Sequence, residues 1–231
     1  MITVIIPTLN EERRLPRTLA ALVPAMVDGA IKRVIIVDGG STDRTRELAD
    51  DAGADVIHDG TTGRGRQLAA GAAGAETPWM LFLHADTALQ PGWHEEAARF
   101  IAAIDRKENP DSAAAFTFAL DDQSFKARLI TLGVHIRCRG LKLPYGDQGL
   151  LISKRLYDAV GGMQPLPLLE DVDLVRRLGR KRMTLLNSKA ITSADRYRKT
   201  GYARRVLRNW WCLASFYLGV PVERIVARYN R

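Results

Sequence analysis

The chain has 231 residues, 46% hydrophobic and 26% charged, with 19 Gly and 10 Pro; that balance excludes a disordered chain, a collagen and a linker polymer, and the length allows about 70% of the unfolded surface to be buried. Two cysteines, Cys138 and Cys212, provide neither a disulfide framework nor a zinc spacing. No apolar run reaches the ~18 residues of a bilayer span; the N-terminus runs straight into Ile2-Thr3-Val4-Ile5-Ile6-Pro7 without a basic leader, so the expected location is a reducing cytosol.

Over the first 105 residues, short β-branched or apolar runs at 4–7, 34–38, 55–58 and 79–84 read as buried parallel strands. Helical patterns at 12–27, 42–51 and 65–75 lie between them. This repetition predicts an α/β fold with an open, mostly parallel sheet and right-handed crossovers. A strand is then expected at 112–120, an amphipathic helix at 125–137 and a turn-rich loop at 145–149 leading to a strand at 150–153. A short helix stops at Gly161-Gly162. Another opens at Leu169-Glu170-Asp171-Val172-Asp173-Leu174, and 183–186 and 190–192 are weaker strand candidates.

Ligands of open α/β sheets bind at the carboxyl ends of the strands. The residues that follow the four predicted strands there are Thr8-Leu9-Asn10-Glu11-Glu12, Gly39-Gly40-Ser41-Thr42-Asp43, Asp59-Gly60 with Gly63-Arg64-Gly65, and Ala85-Asp86-Thr87. Any one cluster suits a turn or a helix cap; four in register on one sheet edge make a candidate site. The edge has no nucleophile elbow and no GxxxxGK[ST] phosphate loop. It is rich in carboxylates, which accept from ribose and base, hold hard divalent cations and act as general bases. His84 and Asp86, two apart on an extended segment, face the same way and can converge on one ion or diphosphate. Glu170 and Asp171 suit either a helix cap or a general base.

These stretches together resemble the family 2 glycosyltransferases, whose fold is the Rossmann-like GT-A fold. The matching segments are Val4-Ile5-Ile6-Pro7-Thr8-Leu9-Asn10-Glu11, Ile35-Ile36-Val37-Asp38-Gly39-Gly40-Ser41-Thr42-Asp43, Gly63-Arg64-Gly65, Leu83-His84-Ala85-Asp86, Gly149 through Gly161-Gly162, and Leu169 through Leu174. The resemblance covers roughly residues 1–190. It implies that Pro7, Asn10 and Glu11 shape a base pocket, that Asp38 contacts base or ribose, and that Asp43, Arg64, Gly65 and Ala85 lie near the nucleotide sugar. Asp86 corresponds to the final acid of the family's Asp-x-Asp metal motif and Asp171 to the catalytic base, with Glu170 beside it. His84 stands where the family usually has the first acid; nitrogen suits Mn2+ better than Mg2+, and both ions remain candidates. Asp147 and Gln148 are candidate acceptor contacts, and Arg196, Arg198 and Lys199 fall where a mobile loop could cover a diphosphate.

The resemblance implies an inverting transfer of a sugar from a UDP- or GDP-linked donor to a hydroxyl acceptor. Residues 1–195 form the glycosyltransferase domain, 1–105 as its nucleotide half and 106–195 as its acceptor half. The alternatives are a catalytically idle nucleotide-sugar-binding protein and a sugar-phosphate nucleotidyltransferase. The second needs a basic, Gly-rich loop where this chain has Leu9-Asn10-Glu11-Glu12.

The net charge of +8 falls entirely in residues 196–231, which hold nine basic residues against Glu223 alone. Within this tail, Val206, Leu207, Trp210, Trp211, Leu213, Ala214, Tyr217 and Leu218 repeat at helical spacing beside Arg204, Arg205 and Arg208. A basic helix with paired Trp suits the anionic inner face of a membrane and a lipid-linked acceptor. The competing expectation is packing against the main domain or a second subunit; nucleic acid is a weaker option.

Overall fold

The computed structural model describes residues 1–58, 63–141 and 143–229. Strand β1 (Ile2–Thr8) is buried along its whole length, as a continuous apolar run covered on both faces should be. Its alternate residues enter two cores. Val4 and Ile6 pack with Trp79, Trp93 and Phe116, while Ile5 packs with Val37, Leu68 and Met80. β2 (Ile31–Asp38), β3 (Asp55–His58) and β4 (Trp79–Phe82) complete a parallel block in the order β3-β2-β1-β4. α3 (Thr45–Asp51) and α4 (Arg64–Ala73) cross over between its strands.

β5 (Thr87–Leu89), α5 (Trp93–Asp105), β6 (Ala113–Leu120), α6 (Phe125–Leu141), β7 (Leu150–Ser153), α7 (Lys154–Ala159), α8 (Glu170–Leu178) and β8 (Met183–Thr192) follow. The eight strands share one sheet, β3-β2-β1-β4-β7-β6-β8-β5. It is parallel through β4 and mixed beyond: β7 runs antiparallel to both β4 and β6, β8 is parallel to β6, and β5 is antiparallel to β8.

Several elements differ from expectation for physical reasons. The helix expected over 12–27 is two short ones, α1 (Leu15–Ala20) and α2 (Val23–Val27), each with a proline in its first turn. Pro24 has no N–H to continue a helix and fits the start of a new one. The two weak strand candidates are one strand, β8, which follows β6 through a register shift between Ala115 and Thr117. The expected mobile loop at 196–199 is helix α9 (Asp195–Thr200), held by Arg198 to Asp121 and Asp122. Asp59 and Gly60 lie outside the described residues.

The tail folds back on the domain. α10 (Tyr202–Tyr217) is followed by α11 (Val222–Tyr229), a helix the sequence reading did not foresee. Cys212 and Ile225 are buried with Leu169 and Val172. One face of α10 thus packs on the start of α8, while Leu207, Trp210, Tyr217 and Leu218 stay exposed. No helix among the described residues is long and apolar enough to cross a membrane.

Candidate active site

At the carboxyl ends of β1 and β2, two loops are stitched together by short polar side chains. Asp38 accepts from the Gly40 and Ser41 N–H groups (3.1 and 2.8 Å), the Ser41 hydroxyl (2.5 Å) and the Thr8 hydroxyl (3.1 Å). Burial alone would raise its carboxyl, but the bonds from Ser41, Gly40 and Thr8 outweigh it and hold the group below the usual range. Asn10 donates its N–H to the Ser41 hydroxyl and accepts from the Thr42 N–H, both at 2.9 Å. Its φ of 55° is a left-handed conformation that Asn tolerates. Asp43 accepts from the N–H groups of Glu12 and Thr45. Pro7 is buried in β1, and the Ala85 carbonyl accepts from Thr18 at 2.8 Å.

Glu11 is buried between Arg14 (2.8 Å) and Arg196 (2.9 Å), and Arg196 also comes within 3.8 Å of Asp86. This guanidinium joins the first loop cluster to the end of β4. Among the described residues the Asp86 carboxylate otherwise has only a 3.4 Å contact from the Thr87 hydroxyl, which leaves most of its acceptor capacity open.

Asp171 stands in the first turn of α8. Its Oδ1 accepts from the Val172 N–H at 2.8 Å and its Oδ2 from the Gly146 N–H at 2.5 Å. Leu169, just before the helix, has φ 65°, an uncommon conformation for a leucine at the point where two acids enter the site. Glycine at 146 is required by close approach: a Cβ there would lie 2.6 Å from His84 Nε2 and 2.9 Å from Asp171 Oδ2. Burial, with Arg64 adding to it, pushes His84 down to about 4, so its imidazole is neutral near pH 7. Gly65 meets a similar limit, since a Cβ would lie 2.6 Å from the Leu166 carbonyl oxygen. That contact seats the start of α4 against the 164–166 loop and aims Arg64 at α8.

Arg64, His84, Asp86, Asp147 and Asp171 line one cavity of about 440 Å³, with Arg196 at its edge. Strand ends, the 145–149 loop and α8 supply this polar end, while α6 and α10 wall the other. Asp147 is drawn up to about 6 by burial, with Asp171 and Asp86 adding and Arg137 opposing; its Oδ1 is buried without a hydrogen-bond partner.

Two candidates sit elsewhere. Glu170 is fully buried, pairs with Arg64 and faces away from this cavity; burial lifts its carboxyl, with Arg64 opposing. Gln148 corrects the expectation of an acceptor contact. Its amide donates to the Phe116 carbonyl at 2.8 Å and accepts from Cys138, pinning the loop from inside. Asp38 and Asp43 are likewise engaged, in tying the two loops together. The sequence reading missed Arg137, Tyr145 and Arg205, which line the cavity. Arg205 belongs to the basic tail that was noticed, but nothing in its spacing signals an inward-facing side chain.

Among the described residues no three His, Cys, Asp or Glu side chains converge as a ready-made metal cage. A divalent cation that keeps waters and phosphate oxygens needs only one or two carboxylates. The open Asp86 carboxylate and the unpartnered Asp147 oxygen in one cavity fit that requirement.

The model of "Glycosyl transferase family 2" matches residues 3–132. An uncharacterized glycosyltransferase of Mycobacterium tuberculosis is 35% identical over 105 residues, 46% of this chain and 44% of the relative. Glycosyltransferase AglJ of Haloferax volcanii is 35% identical over 86 residues, 37% of this chain and 27% of the relative. The chain thus spans less than half the length of these curated relatives. Among solved structures, Staphylococcus aureus TarS 1–349 superposes with a TM-score of 0.64 at 17% identity, covering 84% of this chain and 60% of that one. Glucosyl-3-phosphoglycerate synthase from M. tuberculosis, in complex with Mn2+, UDP and glucosyl-3-phosphoglycerate, superposes with a TM-score of 0.63 at 20% identity, covering 96% and 81%. At these identities the two structures establish a shared fold.

Proposed function

The chain belongs to glycosyl transferase family 2 and has the GT-A fold, and from that premise we propose that it moves a sugar from a UDP- or GDP-linked donor to a hydroxyl acceptor with inversion. The observation that carries this reading is one cavity lined by a backbone-held acid, Asp171, and a largely unengaged acid, Asp86, with Arg64 and Arg196 beside them. In the proposed reaction Asp171 takes the proton of the acceptor hydroxyl. The hydroxyl oxygen forms a bond to the anomeric carbon as the bond to the diphosphate breaks on the opposite face. The diphosphate leaves with the bonding electrons, towards Arg64 and Arg196.

A divalent cation held by Asp86, with His84 or Asp147 beside it, would neutralise the departing diphosphate. The Mn2+ and UDP in the mycobacterial synthase complex support this reading. The stitched loops, with Pro7, Asn10, Glu11, Asp38 and Asp43, form the proposed wall of the nucleotide subsite, flanked by Gly65 and Ala85. Residues 1–105 would then serve the donor and 106–195 the acceptor. Glu170 acts as a positioning residue, holding Arg64.

Calorimetric titration of UDP-sugars in Mn2+ tests the assignment. Binding is expected in the wild type, removed by EDTA, and without its metal-dependent part in Asp86→Ala. A wild-type signal indifferent to EDTA overturns the metal role.

The exposed face of α10 supports a second element of the proposal, residence on an anionic membrane face. Leu207, Trp210, Tyr217 and Leu218 are exposed along and just after α10, Leu129, Leu132 and Ile136 are exposed on α6, which packs against it, and the two helices hold seven basic residues and no acid. Flotation with vesicles containing phosphatidylglycerol is expected, and with pure phosphatidylcholine it is not. Protein left at the bottom in both gradients refutes the membrane location.

A further inference from the structure

The far end of the cavity differs from the end that carries the acids. Its walls are Leu129, Ile130 and Val134 of α6 facing Val206, Trp210 and Leu213 of α10. Leu129 and Trp210 are also 52% and 60% exposed, so the apolar wall runs without a break from the cavity to the solvent rim. Apolar side chains left in water along such a slot favour an occupant with a hydrocarbon portion.

Two arginines that line the same cavity as this slot and Asp171 differ from its other guanidiniums. The other cavity guanidiniums are neutralised, Arg64 by Glu170 and Arg196 by Glu11. Arg137 and Arg205 have no carboxylate partner among the described residues, and the Nε of each is buried without a hydrogen bond. Aromatic faces hold both in place, Arg137 4.0 Å over Tyr145 and Arg205 5.4 Å from the centre of Tyr197. Both line the one cavity, and the Tyr197 phenol, carried up to about 12 by burial and Asp147, is pulled back by Arg205 and Arg137 alike. The Asp147 carboxyl in the same cavity offsets these two part-buried guanidiniums only in part, so an anion that joins them is favoured, and the planar guanidinium fork matches a phosphate or carboxylate.

We propose that this end of the cavity is the acceptor subsite and takes an anionic amphiphile, with Arg137 and Arg205 seating its oxyanion and the slot between α6 and α10 carrying its hydrocarbon tail. The inference rests on the transferase reading above, because it assigns that reaction's acceptor class. An acceptor seated this way projects a hydroxyl of its head group towards Asp171 and its tail to the rim, where the exposed apolar faces of the same two helices begin. Charge complementarity supports this occupant over an uncharged one, since neither helix contains an acid.

The test is calorimetry of the full chain at neutral pH with three probes below their micelle concentrations: dodecyl phosphate, glycerol 3-phosphate and dodecyl maltoside. Dodecyl phosphate is expected to bind one site at least about tenfold more tightly than either the tail-less anion or the uncharged amphiphile. The R137Q/R205Q double variant should weaken it by about tenfold or more. The L129E/W210E variant changes the two part-exposed residues of the slot's outer wall and should weaken dodecyl phosphate while sparing glycerol 3-phosphate, which keeps the test open if the arginine variant fails to fold. Equal binding of the three probes, or dodecyl phosphate binding unmoved in the variants that fold, overturns the proposal. Glycerol 3-phosphate binding as tightly as dodecyl phosphate overturns it too, because the arginines would then serve a soluble phosphate. UDP titration of the same preparations separates the two readings. A wild type that binds UDP but not dodecyl phosphate sinks this inference alone, whereas one that binds no UDP sinks the transferase.

Discussion

Replacing Asp171 with Asn lowers turnover by about 10²–10⁴-fold, the usual contribution of a general base, while the affinity for UDP stays within about threefold of wild type. Two backbone N–H groups hold the carboxylate, Gly146 on Oδ2 and Val172 on Oδ1. A carboxylate has room for about four acceptor contacts, so these two orient the group and leave it able to take a proton. Asparagine keeps the shape and part of that anchoring but cannot accept the proton. UDP release across a panel of UDP-sugars, with matched calorimetry of UDP binding, measures both quantities. Near-normal turnover removes Asp171 from the role of base, and a parallel loss of UDP affinity reassigns it to donor binding.

The second large effect is on stability. Arg64→Met strips the countercharge from Glu170, a fully buried acid whose Oε2 already lacks a partner. Breaking a buried pair in this way costs about 3–5 kcal/mol; with the Arg64 side chain 30% exposed to solvent, the lower end, about 3 kcal/mol, applies. For a chain of this size that is a fall in Tm of about 6–12 °C. The pH dependence has a definite sign. Burial already raises the Glu170 carboxyl above its ordinary 4.5, against the pull of Arg64. A carboxyl raised in the folded state favours folding at low pH, and its contribution is lost as pH rises through the folded value. Removing Arg64 raises that value further, so the deficit of the variant is greatest at neutral pH and shrinks as pH falls towards 4.5. Scanning calorimetry across this range decides the matter. A variant as stable as wild type at neutral pH, or one whose deficit grows on acidification, contradicts the assignment of Glu170 as a buried charge held by Arg64.

Apart from β5, α5 and α11, the chain order of strands and helices was legible, because β1 to β4 are short β-branched or apolar runs followed within a few residues by Asp, Asn or Gly. Burial on both faces requires the first feature, and a turn at the sheet edge requires the second. Asp86 stands out on the same grounds, as a carboxylate at a strand end where a ligand is expected, whereas the position of Asp171 suits a helix cap as well as a base and only the family resemblance singles it out. Less legible was what each acid does once folded. Asp38 and Asp171 look alike in sequence, yet Asp38 is consumed by four hydrogen bonds, three from its own loop and one from Thr8 at the end of β1, while Asp171 keeps capacity to spare. Glu170 and Asp171 are neighbours, but successive residues of a helix point about 100° apart; one enters the interior against Arg64 and the other lines the cavity.

The sequence by itself determined the α/β class, the strand-end clusters and the family resemblance, because hydrophobic periodicity and turn chemistry are local properties carried by adjacent residues. Only the tertiary structure decided that the basic tail folds back as α10 and α11, that Arg196 reaches back 185 residues to Glu11 and comes within 3.8 Å of Asp86, and that Arg137 and Arg205 face one cavity without a carboxylate in ion-pair contact among the described residues. Those outcomes depend on which faces of distant helices meet. An amphipathic pattern specifies that a face will be covered but carries no information about what covers it.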